Sequence, residues 1–75
     1  MTVAEAKKIL SEWVRGSITE EFPLVWVSEL QEEDENEYRF KASIYAPGEN
    51  PEDEAAPHAV NKHTGKVEMR ILLFG

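Results

Sequence analysis

Residues 37–46, EYRFKASIYA, carry the clearest structural pattern of the chain. Apolar side chains stand at every second position along it, and the residues between are mostly polar; the apolar set is Tyr38, Phe40, Ala42, Ile44 and Ala46. A period of two residues is typical of a strand with one buried and one open face, as in antiparallel sheets. The pattern therefore predicts a strand over residues 37–46 in a sheet that is covered on one face.

A pattern with helical spacing precedes this strand. Thr2 and Glu5 have the spacing of a capping box, in which the two residues satisfy each other's free backbone amides. Gly16 is a natural stop for the helix. Apolar residues recur every three or four positions in between, at Val3, Ala6, Ile9, Leu10, Trp13 and Val14. These features predict an amphipathic helix, with Trp13 as the largest contributor to its contact with the sheet.

Further strands are predicted on both sides of residues 37–46. Residues 24–31, LVWVSELQ, are rich in β-branched and aromatic side chains and predict the first strand. The run EEDEN, residues 32–36, predicts a solvated turn, because adjacent like charges cannot be buried unpaired. Residues 46–57, APGENPEDEAAP, predict one long acidic loop. A third strand is predicted over residues 58–61 and a fourth over residues 66–74, joined by a turn with Gly65 in the left-handed conformation.

This order of elements predicts an α+β fold with one domain spanning all 75 residues. The N-terminal helix would pack on one face of a four-stranded antiparallel meander. We expect the buried layer between helix and sheet to contain Ile9, Leu10, Trp13, Val14, Phe40, Ile44, Val60, Val67, Met69 and Ile71.

The composition limits the classes of function. Fifteen acidic and eight basic side chains give a net charge of −7, the wrong sign for a nucleic acid or an anionic membrane as partner. The absence of cysteine excludes disulfides and thiol chemistry. The first ten residues hold no apolar run long enough for a signal peptide or a membrane span, so we expect a cytoplasmic protein.

The sequence offers no recognisable set of catalytic or metal-binding residues. His58 and His63 match no known spacing of metal ligands. The acidic fragments at residues 34–36 and 51–54 lack the alternating ligands and closing glutamate of a calcium loop. No nucleophile with a base and an orienting group can be assembled. We therefore predict a protein that is not an enzyme and binds no metal or cofactor.

Two acidic runs are candidate contacts for a basic protein partner, because complementary charges speed association and favour the right partner. Their members are Glu32, Glu33, Asp34, Glu35, Glu49, Glu52, Asp53 and Glu54. The alternative explanation of these charges is solubility alone.

The second face of the sheet is another candidate surface. Val25 and Val27, or Trp26 in the opposite register, would join an apolar patch formed by Tyr45, Leu72 and Phe74. Monomers seldom leave such a patch open, so it predicts self-association, as a homodimer, through Tyr45, Leu72 and Phe74. Scattered exposed apolar residues, which are normal on any protein, are the alternative.

The segment PHAVNKHTGKV, residues 57–67, with the N-terminal helix and the strand EYRFKASIY, resembles the small YrhB-type bacterial immunity proteins. The matching positions are Pro57, Val60, Lys62, Thr64, Gly65 and Val67. The resemblance implies that the chain neutralises a basic toxin or enzyme by binding it. PepSY-type domains are also similar, with a helix on a small sheet and a comparable turn. That second resemblance implies a regulatory or protease-inhibiting domain.

Overall fold

A helix lies across one face of an antiparallel sheet in the computed structural model, which describes residues 1–70. The elements are α1 (Val3–Arg15), β1 (Leu24–Val27), β2 (Glu32–Glu33), β3 (Glu37–Tyr45), β4 (Ala56–Asn61) and β5 (Val67–Met69), with a 3₁₀ helix at Pro51–Glu54. The strands lie in the order β1-β3-β4-β5, and β2 pairs with β3 beyond the end of β1. The predicted α+β meander with an N-terminal helix is confirmed. Residues 71–74 of the predicted fourth strand lie outside the described residues.

The helix α1 begins where the sequence predicts. Thr2 Oγ1 accepts a hydrogen bond from the Glu5 amide at 3.1 Å, and Glu5 Oε1 accepts one from the Thr2 amide at 3.0 Å. The capping box is therefore present, and the helix ends at Arg15 with Gly16 as its C-cap. Within residues 1–70, no helix is both long enough and apolar enough to cross a membrane.

The predicted first strand is wrong in its length. Instead of one strand over residues 24–31, β1 ends at Val27, and pairing with β3 resumes only at Glu32. Val27 lies opposite Ala42, and Glu32 lies opposite Arg39. The chain therefore takes five residue steps from β1 to β2 where β3 takes three. The two additional residues form a bulge, which a periodicity argument does not reveal.

Side-chain hydrogen bonds shape the bulge and the turn after it. The Ser28 amide donates to the Lys41 carbonyl at 2.8 Å, and Ser28 Oγ accepts from the Lys41 amide at 2.9 Å. The hydroxyl thus takes the place of a strand carbonyl. The next turn is shorter than predicted, because Glu32–Glu33 pair as a strand. It closes on Asp34 Oδ1, which accepts from the amides of Asn36 at 2.7 Å and Glu37 at 2.9 Å.

The strand register assigns side chains to the two faces of the sheet. Val25 lies opposite Ile44 and Val27 opposite Ala42, and all four pack towards α1. Trp26 therefore lies on the other face, the open face, together with Tyr45, as in the second register considered from the sequence. The turn between β4 and β5 also follows prediction, with Gly65 in the left-handed region at φ +74°.

The core forms between α1 and the middle strands. Ala6, Leu10 and Val14, spaced by four residues, form the line of α1 that faces the sheet. Small Ala6 lets the helix approach closely. The fully or nearly buried apolar residues of this layer are Ala6, Leu10, Val14, Tyr38, Phe40, Ala42 and Val60. Of the predicted layer, Ile9, Ile44 and Val67 are only partly buried, and Ile71 lies outside the described residues.

Two predicted core residues are exposed. Trp13 is 46% exposed and Met69 is 59% exposed, so their placement in the core is wrong. Trp13 lies at the edge of the buried line of α1, not in its middle. Met69 lies on the helix face of β5, the last strand of the described sheet, and α1 lies mainly over β3 and β1. The helix therefore leaves the outer part of its own face of the sheet uncovered.

The two ends of the sheet differ in composition, and β3 separates them. We call the end near Glu37 the turn end, because it holds the β2–β3 and β4–β5 turns. The Lys62 amide donates a hydrogen bond to the Asn36 carbonyl at 2.8 Å and so joins the two turns. We call the end near Tyr45 the loop end; it holds residues 46–55. With nine residues in β3, the ends lie roughly 26 Å apart at about 3.3 Å per residue step.

Candidate functional site

An apolar groove opens at the loop end, between α1 and the uncovered part of the sheet. We call it the Trp13 groove. Its volume is about 230 Å³, and it is lined by Trp13, Val14, Ser17, Ala42, Ser43, Ile44, Ala56, His58 and Met69. Both of the wrongly predicted core residues, Trp13 and Met69, line it. The groove can therefore accept an apolar side chain from outside the chain.

One wall of the groove is fixed by aromatic packing. The rings of Trp13 and His58 meet edge to face, with centroids 5.6 Å apart and planes at 69°. His58 is itself buried, and its Nδ1 lies 2.8 Å from the Ala56 carbonyl oxygen. Edge-to-face packing is a favourable aromatic geometry. The half-exposed indole is thus in contact with a buried side chain.

A second, smaller depression adjoins the groove, and Ile44 lines both. Its volume is about 110 Å³, and its lining is Phe22, Ile44, Tyr45, Glu49, Asn50, Pro51 and Glu54. The carboxylates of Glu49 and Glu54 therefore stand beside the apolar lining of the Trp13 groove. Among residues 1–70, neither lining includes a lysine or an arginine.

Local hydrogen bonds hold the acidic segment of the loop end in one conformation. Asn50 caps the 3₁₀ helix by accepting from the Glu52 amide at 3.1 Å. Glu49 Oε1 accepts from the Ala46 amide at 2.8 Å. Ser43 Oγ donates to the Pro51 carbonyl at 2.8 Å and joins the segment to β3. None of the ion pairs found within residues 1–70 involves Glu49, Glu52, Asp53 or Glu54.

The acidic residues of the turn end, in contrast, are mostly paired within the chain. Arg39 contacts Glu32 and Asp34, each at 2.8 Å, and Lys62 Nζ lies 2.7 Å from Glu33 Oε2. The hydrogen bonds from the Asn36 and Glu37 amides lower the pKa of Asp34. Only Glu35 of this run has no ion pair within the described residues. The charge of this run is thus largely neutralised by the protein itself.

Glu37 is the centre of the turn-end network. Its carboxylate is buried, accepts from Arg39 Nε at 2.6 Å and also accepts from both Nε and Nη2 of Arg70. The guanidinium of Arg70 lowers the pKa of Glu37 to about 2, against the opposing effect of burial and with help from Arg39. Glu37 and Arg39 lie on β3 and Arg70 follows β5, so the network links these two strands across β4 on the open face of the sheet.

The eight predicted partner-binding residues do not form one surface. The structure places Glu32, Glu33, Asp34 and Glu35 at the turn end, and Glu49, Glu52, Asp53 and Glu54 at the loop end. Of the predicted self-association residues, Tyr45 is half-buried on the open face, and Leu72 and Phe74 lie outside the described residues.

The open face has a larger groove of mixed character. Its volume is about 400 Å³, and it is lined by Trp26, Val27, Ser28, Glu29, Gln31, Lys41 and Glu52. Charges of both signs line it, and Trp26 is half-buried. The Trp13 groove has a mainly apolar lining, and the depression beside it carries acidic side chains only, so the open-face groove is the weaker candidate for a docking site.

The described residues form no recognisable reaction centre. Within residues 1–70, no three side chains of the metal-binding types lie close enough to share an ion. His58 packs against Trp13, and His63 is exposed in the β4–β5 turn. The lining of the Trp13 groove is mainly apolar, and its polar groups are the hydroxyls of Ser17 and Ser43 and the ring of His58.

Sequence reasoning missed the Trp13 groove because it assigned Trp13 and Met69 to the core. One signal could have indicated it. The apolar stripe of α1 is wider than the buried arc of a surface helix, because Ile9 and Trp13 lie beside the buried line. The buried line is formed by Ala6, Leu10 and Val14. One edge of the stripe must therefore be exposed. The sequence did not tell which edge.

We compared the chain with known protein families, curated proteins and solved structures, and found no match in any of the three. The similarity to YrhB-type immunity proteins and to PepSY-type domains therefore stays a hypothesis based on residues 57–67 and the order of elements.

Proposed function

We propose that this chain is a non-enzymatic protein-binding domain that captures a basic protein through its loop end. The observation that carries the proposal is the set of carboxylates in residues 49–54. None of them has an ion pair within the described residues, and two of them, Glu49 and Glu54, line a depression that shares Ile44 with the exposed Trp13 groove. A protein surface that leaves its charges and its apolar side chains unpaired in one place is suited to binding.

Charge would act mainly on the encounter. The net charge of −7 attracts a basic protein over a distance, and the unpaired carboxylates direct it to the loop end. Because the cap of Asn50 and the Ser43 hydrogen bond already hold the acidic segment, little conformational entropy would be lost on binding. Exposed ion pairs add little affinity by themselves, so the apolar groove must supply the rest.

The similarity to immunity proteins suggests which class of basic protein is bound. In that proposal the partner is a toxin or other enzyme that acts on a polyanionic substrate, and the domain inhibits it by covering its basic surface. An inhibitor of this kind needs no catalytic residues of its own.

The test is a pull-down from the source cell with two charge-reversed variants. Asp53→Lys and Glu35→Lys change the net charge equally, and both residues are exposed and without an ion pair within residues 1–70, one at each end of the sheet. The proposal predicts a basic partner that wild type and Glu35→Lys recover at low salt and Asp53→Lys does not. Recovery of no basic protein at low salt, or equal loss with both variants, would contradict it.

Self-association is the second candidate, as in a small structural or regulatory domain of the PepSY kind. It is favoured by β5, which is the last strand of the described sheet and carries Met69, the most exposed large apolar residue among residues 1–70. Edge strands are ready to pair with another chain. Sedimentation at high micromolar concentration tests it, and a monomer under those conditions would remove this candidate.

A further inference from the structure

We infer that the Trp13 groove receives an apolar side chain of the partner, from a segment in which that side chain is flanked by lysine or arginine. This inference rests on the proposed function, because it names the contact that would turn a charge-steered encounter into a stable complex. It goes further by assigning the anchor to one groove and to one chemical class of peptide.

The Trp13 groove has the features of a contact site. Trp13 on α1 and Met69 on the helix face of β5 both line it, and they are 46% and 59% exposed. Deep contacts at protein interfaces are centred on aromatic and other large apolar side chains, surrounded by a polar rim. Trp13 meets this description, and its contact with His58 keeps the ring in one orientation before binding.

The acidic side chains beside the groove, Glu49 and Glu54, form its rim. Through Ile44 the groove continues into the depression that holds Glu49 and Glu54, and no lysine or arginine among residues 1–70 lines either part. A segment with basic residues beside its anchor would satisfy groove and rim together. An apolar segment with acidic neighbours would be repelled.

The charge of the rim also distinguishes a basic partner from a second copy of the chain. Two copies paired through their Trp13 grooves would bring the carboxylates of both rims together. Like charges that face each other across an interface oppose association. The rim therefore favours a basic segment over a second copy.

The experiment uses synthetic peptides and the fluorescence of Trp13 in a Trp26→Phe background, where it is the single tryptophan. The probe is an eight-residue peptide with two central leucines among lysines and serines. One control peptide has serines in place of the leucines, and a second has glutamates in place of the lysines. The probe should shift Trp13 emission to shorter wavelength in a saturable way. The serine control should bind roughly ten- to a hundredfold more weakly, which is the range expected from burying one leucine.

A matched pair of variants locates the binding site. Met69→Lys places a charge in the groove, whereas Leu24→Lys makes the same kind of change on the open face, at a residue that is 38% exposed. Both side chains are exposed, so both variants should fold, which circular dichroism checks. We expect Met69→Lys to abolish the emission shift and Leu24→Lys to leave it unchanged.

The outcomes separate this inference from the proposed function. If the serine control binds as well as the probe and Met69→Lys changes nothing, the groove is not the anchor, but capture by acidic residues stands. If the glutamate control binds as well as the probe, the groove still accepts an apolar side chain, but the basic flanks of the inferred segment and the proposed capture of basic proteins both fail. Absence of binding by the probe at millimolar concentration overturns the inference. An emission shift that grows with protein concentration alone also overturns it, because a second copy then occupies the groove.

Discussion

The two ends of this sheet carry similar numbers of acidic side chains and use them differently. At the turn end, Arg39, Lys62 and Arg70 neutralise most of the carboxylates, and the resulting network joins β2, β3 and the segment after β5. At the loop end the carboxylates of residues 49–54 have no such partners within residues 1–70. An acidic run in a sequence therefore says little about binding until the strand register shows which cationic side chains lie across from it.

The apolar residues follow the same division. Tyr38, near the turn end, is buried, and its hydroxyl donates to the Met1 carbonyl at 2.9 Å. The Lys62 ammonium group lies over the Tyr38 ring, 4.6 Å from the ring centroid. Trp13, at the loop end, leaves nearly half of its surface exposed. The large aromatic side chain near the turn end is therefore enclosed by its own chain, and the one at the loop end leaves apolar surface exposed.

The largest expected effect separates Trp13 from the core. Leu10→Ala should cost about 2–5 kcal/mol, which is comparable to the ~3–5 kcal/mol that one core supplies at this size, so this variant should be largely unfolded. Trp13→Ala should stay folded, because the indole is only half buried. Circular dichroism with thermal melts measures both. If Trp13→Ala unfolds as Leu10→Ala does, the indole belongs to the core and the assignment of the loop end as a binding surface fails.

The next effect concerns the turn-end network. Glu37→Gln removes the negative charge that the guanidinium groups of Arg39 and Arg70 share. It should lower the free energy of unfolding by about 2 kcal/mol, which is near the lower end of the range for loss of a buried charged hydrogen bond. The loss is limited because Arg39 and Arg70 are 35% and 39% exposed and water can solvate them. Urea denaturation measures it, with Glu54→Gln as the loop-end control. Equal stability of the two variants would contradict the difference between the ends.

The pH dependence of stability sharpens this result. The pKa of Glu37 is lowered to about 2 in the folded chain, from roughly 4.3 for an unperturbed glutamate. Its contribution is therefore fully present above the unfolded pKa and is lost as the pH falls towards 2. The stability difference between wild type and Glu37→Gln should shrink from pH 7 to about pH 2.5 in urea denaturation curves. A difference that stays constant with pH would mean that the carboxylate is not the source.

The smallest effect is expected at the loop end. The triple variant Glu52→Gln, Asp53→Asn, Glu54→Gln should melt at or slightly above the wild-type temperature, because it removes mutual repulsion and breaks no ion pair found within residues 1–70. Glu49 is left unchanged, since its carboxylate accepts from the Ala46 amide. Differential scanning calorimetry at low salt measures the shift. A clear loss of stability would show that these carboxylates support the fold.

The sequence was sufficient for features set by neighbouring residues. The capping box of Thr2 and Glu5 and the left-handed Gly65 are local, and both predictions are confirmed. The apolar side chains of β3 alternate towards α1 as predicted, but Glu37 and Ser43 on the other face are buried as well. The bulge at Ser28 was not predictable, because it depends on a hydroxyl that replaces a strand carbonyl across the sheet.

The candidate site was less predictable than the fold. Whether Trp13 is buried depends on how far α1 lies over β4 and β5, which no helical periodicity specifies. Whether Glu32 is free depends on its register with Arg39, which the bulge shifts by two residues. The acidic residues were found by composition alone, but their division into paired and unpaired sets is a tertiary property.

One measurement tests the central claim, that the loop end is the binding surface, most directly. In a ¹H–¹⁵N spectrum the indole signals of Trp13 and Trp26 report on the two faces of the sheet, and backbone signals report on its two ends. On titration with the leucine and lysine peptide, we predict shifts at the Trp13 indole and in residues 44–56, with Trp26, Glu37 and Arg39 unchanged. Shifts confined to Trp26 or to the turn end would contradict the claim.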